Sequence, residues 1–174
     1  MRHVRYRVAS SLDGYIAGPH GEIDWIVPDS TVDFTTIYAG FDTVLLGRRT
    51  YELTCQPGAP PWPPGWRIHV FSRTLDPAAH PSVTVVRNDA ASTVAALRAA
   101  SGRDIWLFGG GTLFASLLPA HVIDQIEVAV MPVLLGGGIP LLAQAPPARL
   151  RLLQSYALPS GIVNLSYAVE STAG

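Results

Sequence analysis

The sequence predicts an α/β fold: a mixed sheet of about eight strands, mainly parallel, with about four flanking helices. Three observations carry this. Short apolar runs of strand length alternate with segments of helical period along most of the chain. Glycine-rich turns follow several of those runs and open the next helix. The last two strand-like segments are joined directly at Pro159-Ser160-Gly161, which makes an antiparallel C-terminal hairpin.

The elements follow in order. Residues 3–9 alternate, with Val4, Tyr6 and Val8 on one side, and read as the first strand. Residues 10–28 hold Gly14, Gly18 and Gly21, a glycine-rich loop that is either a mobile lid or a plain connection. Asp29 or Ser30 is expected to cap a helix whose apolar stripe is Phe34, Ile37, Tyr38 and Phe41. Asp33 falls at the margin of that stripe, in the first turn, where a carboxylate favours the helix dipole. Residues 43–46 form a short buried strand that runs into Gly47-Arg48-Arg49-Thr50, a strand-to-helix turn with paired arginines and a hydroxyl. The proline-rich segment 56–66 is a stiff loop. Residues 68–72 are a strand ending at Ser72-Arg73, residues 82–87 are strand-like, and residues 90–100 are an alanine-rich helix stopped by Gly102.

The stretch Ile105-Trp106-Leu107-Phe108-Gly109-Gly110-Gly111-Thr112-Leu113-Phe114 organises the rest. Its apolar half reads as a strand buried on both faces, and after the glycines Leu113, Phe114, Leu117 and Leu118 share a helical face that Pro119 ends. A strand, a glycine turn and a helix place bare backbone N–H groups where a phosphate can sit, and serve equally as a tight turn alone. Residues 126–130 form another strand, followed by a second glycine triple, Gly136-Gly137-Gly138, between prolines. Strands over 149–158 and 162–170 close the chain. In a parallel sheet the C-terminal strand ends open on one side, so Gly47 to Thr50, Ser72-Arg73 and Gly109 to Thr112 are expected to gather at one rim.

Composition narrows the chemistry. With 174 residues, 48% hydrophobic and 14% charged, the chain is expected to fold as one domain over 1–174. All twelve basic residues are arginine, which removes a Schiff-base lysine and a P-loop lysine together. Cys55 is the single cysteine and the five histidines lack ligand spacing, so no metal centre is expected. A net charge of −1 implies no nucleic-acid partner and no anionic membrane surface. No signal-peptide or membrane-length apolar run is present, and a soluble, cytoplasmic protein is expected.

Four motifs, taken together, resemble the dihydrofolate reductase superfamily and within it the riboflavin-biosynthesis reductase C-terminal domain family, as a stand-alone member. They are Ser11-Leu12-Asp13-Gly14-Tyr15-Ile16-Ala17, Gly47-Arg48-Arg49-Thr50-Tyr51-Glu52, Phe108-Gly109-Gly110-Gly111 and Pro132-Val133-Leu134-Leu135-Gly136-Gly137-Gly138-Ile139-Pro140-Leu141. The resemblance implies a dihydrofolate-reductase-like sheet, NADPH as cofactor, and hydride transfer to a small heteroaromatic ring of pteridine or ribosylaminopyrimidine type. By the same resemblance, Ala9 and Ile16 contact nicotinamide, and Gly47, Arg48 and Thr50 meet cofactor phosphate. Ser72 and Arg73 surround the 2′-phosphate, and Phe108 with Gly109, Gly110, Gly111, Thr112 and Leu113 forms the pyrophosphate turn, in which the 109–110 peptide is expected to be cis. Phe114 lies beside the nicotinamide and Asp33 is the pocket carboxylate that protonates or orients the substrate. Thr112 stands where the family often has arginine. The resemblance also implies a homodimer built near the second glycine triple and the terminal hairpin. True dihydrofolate reduction and a non-catalytic NADPH-binding module are the competing readings, and Asp13 is the rival acid, although Leu12-Asp13-Gly14-Tyr15 reads better as a turn in which that carboxylate caps backbone N–H groups.

Overall fold

The structure is a computed structural model and describes residues 1–170. Ten strands and four α-helices occur in the order β1 (Val4–Ser11), β2 (Tyr15–Ala17), α1 (Phe34–Ala39), β3 (Phe41–Gly47), α2 (Arg48–Thr54), β4 (Arg67–Phe71), β5 (Thr84–Val86), α3 (Ala90–Ala99), β6 (Asp104–Gly109), α4 (Gly111–Leu117), β7 (Gln125–Met131), β8 (Ile139–Pro140), β9 (Leu150–Ala157) and β10 (Val163–Val169). Eight of the strands make one sheet in the order β5-β4-β3-β6-β1-β7-β10-β9. Pairings from β5 through β7 are parallel, and β10 turns the sheet antiparallel against both β7 and β9. This is the dihydrofolate-reductase-like fold expected from the sequence.

The strand period separates two cores. Val4, Tyr6, Leu45, Ile105, Leu107 and Val128 point to one face, where they meet Val94 of α3 and Leu113, Phe114 and Leu117 of α4. Val44, Leu46 and Trp106 point to the other, with Phe41, Tyr51 and Val70, and Ile37 and Tyr38 of α1 pack against them. Arg5, Arg7 and Ala9 alternate with Val4, Tyr6 and Val8 and so face the α1 side.

Two local readings change. α1 is one and a half turns long and Phe41 is the first residue of β3, buried to 1% exposure, so the apolar stripe that looked helical spans a helix and the next strand. β-branched Thr35 and Thr36 favour helix weakly, and Gly40 ends it, with its N–H donating to Ile37 and Tyr38 carbonyls. The cap is Asp33, not Asp29 or Ser30. β2 and β8 were not foreseen as strands. They pair with each other outside the main sheet. Among the described residues no helix is long and apolar enough to cross a membrane.

Candidate active site

The parallel pairing of β3 with β4 and β6 brings the turns after these strands to one rim. There the N-termini of α2 and α4 converge: a Cβ on Gly47 would stand 3.8 Å from the Gly109 carbonyl oxygen, and one on Gly110 would stand 3.4 Å from Thr50 Oγ1. The Gly109–Gly110 peptide is cis, as the resemblance implied. Neither helix has a side-chain cap, since their N-caps are Gly47 and Gly110. First-turn N–H groups therefore face the rim without an acceptor of their own, a donor set that fits the phosphates of a dinucleotide.

Beside this rim the loop between β1 and β2 is latched to the second glycine triple. Asp13 accepts hydrogen bonds from the Leu135 and Gly136 N–H groups at 3.1 and 2.7 Å, and from Ser11 Oγ at 2.6 Å. The Ser11 hydroxyl and these backbone donors hold its carboxyl below the usual range. The Leu141 N–H donates to the Gly14 carbonyl at 2.8 Å, and Tyr6 Oη donates to the Leu141 carbonyl at 3.1 Å. Gly138 has φ +147° and a Cβ there would lie 2.2 Å from the Ala17 carbonyl oxygen, so only glycine allows the approach that pairs β8 with β2. The Asp13 turn thus takes the capping role read from the sequence, with donors from a segment more than a hundred residues away.

A cleft of about 2610 Å³ runs from the rim across the α1 side of the sheet. Single-ligand pockets hold about 300–1,000 Å³, so there is room for a dinucleotide and a second molecule. Its floor carries a charged group that sequence reading missed. Glu127 of β7 is 8% exposed and accepts bonds from Arg5 Nε at 2.5 Å and from the Arg7 guanidinium. Arg5 also pairs with Asp104 at 3.3 Å and lies 4.8 Å over the Phe41 ring. The clue was in the sequence: Glu127 alternates with Ile126 and Val128, and Arg5 and Arg7 with Val4, Tyr6 and Val8. Register across a parallel pair, Arg7 opposite Glu127, is what completes it. One wall is aromatic, with Trp62 edge-on to Phe108 at 5.2 Å and Tyr38 5.9 Å from Trp106.

Of the residues expected at the site, Ala9, Ile16, Gly47, Arg48, Thr50, Ser72, Arg73, Phe108, Gly110, Gly111, Thr112 and Leu113 line this cleft, whereas Gly109 does not. Arg48 is paired with Glu52 at 2.8 Å on the exposed helix surface. Ser72 Oγ accepts from the Thr74 and Leu75 N–H groups, while Arg73 has no acidic partner among the described residues. Two further residues do not line it. Phe114 is 3% exposed and stacks on Tyr6 at 4.0 Å in the opposite core, because a helix starting at Gly111 turns its fourth residue inward. Asp33 is exposed and caps α1: its Oδ1 accepts from Thr35 N at 2.9 Å and Thr36 N at 3.2 Å, and its Oδ2 from Thr36 Oγ1 at 2.5 Å. The Thr36 hydroxyl and these amides lower its pKa. Asp29, which does line the cleft, is pulled down to about 2 by the Ser160 and Thr31 hydroxyls.

The family comparison decides among the folds that could build such a rim: the RibD C-terminal domain model matches residues 2–164. The chain belongs to the RibD C-terminal domain family. That family is one of riboflavin-pathway reductases, which supports an oxidoreductase. Among sequence relatives, the uncharacterized protein YyaP of Bacillus subtilis is 29% identical over 95% of this chain and 94% of its own. A putative riboflavin biosynthesis protein from Shewanella superposes with TM-score 0.83 at 24% identity, covering 98% of this chain and 100% of that one. Dihydrofolate reductase from Enterococcus faecalis, solved in complex with NADP(H) and RAB-propyl, superposes with TM-score 0.70 at 18% identity, covering 97% of each chain. At these identities the two structures establish the fold alone.

Proposed function

We propose that this RibD C-terminal domain protein is an NADPH-dependent reductase that delivers hydride to a small heteroaromatic ring of pteridine or ribosylaminopyrimidine type. The observation that carries the reading is the pair of uncapped helix N-termini meeting at Gly47 and Gly110, with Thr50 between them and Arg73 beside them. Bare N–H groups and a hydroxyl suit a pyrophosphate, and a guanidinium without an acidic partner suits a phosphate monoester, which favours NADPH over NADH. The Enterococcus dihydrofolate reductase, solved in complex with NADP(H), has the same fold.

When bound, the nicotinamide supplies hydride to the ring carbon of a C=N bond, and the nitrogen takes a proton. The chain's part is placement. Ala9 and Ile16 hold the nicotinamide end, and Arg7, steadied by Glu127 opposite it on β7, offers its remaining N–H donors to a substrate carbonyl. Among the described residues no carboxylate is poised to protonate at neutral pH: Asp13, Asp29 and Asp33 are held ionised by hydrogen bonds, and Glu127 is engaged by Arg5 and Arg7. The proton comes from water in the open cleft.

The protein acts as a homodimer in this reading. Every residue of β9 is exposed, including Leu150, Leu152, Leu153 and Tyr156, and an apolar edge strand of this length wants a partner. Light scattering should give about twice 18.6 kDa at micromolar concentration, and a monomer would remove the dimer from the proposal. The reductase reading is tested by NADPH oxidation with dihydrofolate, dihydropterins and the ribosylaminopyrimidine of riboflavin synthesis. Failure to bind NADPH at all would end it.

A further inference from the structure

The cleft has two ends of opposite character, and the end away from the rim constrains the substrate. α1, the last turn of α2 and the segment after it form its walls with Phe34, Ile37, Tyr38, Leu53, Pro61 and Trp62. Two of these are large apolar groups held in water, Phe34 at 54% and Leu53 at 47% exposure, and Ile23 faces the same cleft at 55%. Exposed apolar groups clustered at the mouth of a cleft mark a surface that an apolar partner covers. The Trp62 indole N–H adds a buried donor with no acceptor among the described residues.

Charge points the same way. Residues 18–40 carry four carboxylates, Glu22, Asp24, Asp29 and Asp33, and no arginine; residues 50–66 carry Glu52 and no arginine. Every arginine lining the cleft sits elsewhere. Arg48, Arg49, Arg73 and Arg87 follow the ends of β3, β4 and β5 at the rim, and Arg5 and Arg7 lie on the floor, bonded to Glu127. A phosphate on a substituent lying between α1 and the 55–66 loop would find no arginine in these flanking segments, and Asp29 as the one carboxylate they turn to the cleft.

We propose that the substrate is a heteroaromatic ring whose substituent is uncharged and apolar or aromatic, not a phosphorylated sugar chain. This rests on the reductase reading and narrows its substrate class. Covering an aryl group against these walls is worth about ten- to a hundredfold in affinity.

The experiment uses the full chain saturated with NADPH and two probes that share a 6-aminouracil ring. One carries a benzyl group on the 6-amino nitrogen and the other a ribityl 5-phosphate. Binding is followed by quenching of tryptophan fluorescence. The benzyl probe should bind at least tenfold more tightly, and F34S with L53S should remove most of that advantage while leaving NADPH affinity unchanged. Both side chains are half exposed, so the double variant is expected to fold. Equal or tighter binding of the phosphate probe overturns the proposal. Binding of neither probe, with NADPH still bound, overturns it together with the pyrimidine-ring reading; loss of NADPH binding overturns the reductase reading itself.

Discussion

Gly111→Ala tests the contact that joins the two glycine triples. Gly111 is the first residue of α4, it is buried, and its φ is not left-handed, so alanine meets no backbone strain there. The cost is steric. A Cβ would stand 2.6 Å from the Pro140 carbonyl oxygen and 3.0 Å from that of Leu141. Both are backbone atoms, and Leu141 is tied to Gly14 through its N–H and to Tyr6 through its carbonyl, so the strap cannot swing away as a side chain would. Overpacking of this kind costs about 1–3 kcal/mol, while alanine regains at most about 1 kcal/mol over glycine in a helix. The steric cost wins, leaving about 0.5–2 kcal/mol of destabilisation, or about 1–8 °C in Tm for a chain of this size. Gly137→Ala is the control, because a Cβ there meets nothing within 4 Å. Thermal unfolding of the two variants side by side decides it. A Gly111→Ala Tm equal to or above that of Gly137→Ala would refute the idea that close approach, and not mere loop flexibility, fixes glycine at this position.

Three further outcomes are expected. Arg73→Ala should weaken NADPH about ten- to a hundredfold through loss of one charge-assisted contact and leave NADH almost unchanged; equal weakening of both would remove Arg73 from the 2′-phosphate. Asp33→Asn should keep full turnover, since asparagine caps a helix as well as aspartate does, whereas Asp33→Ala should lower Tm by a few degrees; a large fall in turnover for Asp33→Asn would restore it as the acid. His69 lies half-buried on β4, its Nδ1 shielded from water and without a partner among the described residues, and burial, with Arg67 and Arg2 nearby, lowers its pKa. Below about pH 6.5 the unfolded chain therefore binds a proton that the native state refuses, so urea midpoints should fall from about pH 7.5 to about pH 5.5, and His69→Gln should flatten that slope.

Strand and helix order was legible because each main-sheet strand carries its own apolar signal, and the crossovers from β3 to β4, β5 to β6 and β6 to β7 each carry an α-helix. Ile105 to Leu107 sits between β1 and β3, buried on both faces, as a continuous apolar run requires. What failed was local. Phe34, Ile37, Tyr38 and Phe41 fit one helical face by spacing, yet Gly40 cuts the pattern and Phe41 reaches the same core from a strand. β2 and β8 are too short to carry a period, and they pair only because Gly138 lets two distant turns touch. Spacing along one segment cannot report a contact whose two halves lie more than a hundred residues apart.

The site divides along the same line. The turns that meet at the rim were legible because their signals are local: glycines, a hydroxyl and arginines adjacent in the chain. The acid was not, since a carboxylate's role is set by which donors reach it. Asp33 at a helix start has its own amides within reach, and three hydrogen bonds use both its oxygens. Asp13 is satisfied by the strap and Glu127 by two arginines on the neighbouring strand. All three carboxylates are therefore spent on holding parts in place. In the reductase reading proposed above, a cleft built this way would contribute through alignment of donor and acceptor carbons, with solvent as the proton source. Its turnover should then follow the substrate's own protonation, with no inflection from a protein carboxylate between about pH 5 and 8. An enzyme-derived acid limb in that range, seen with substrates of differing basicity, would show that one of these carboxylates is released during the reaction.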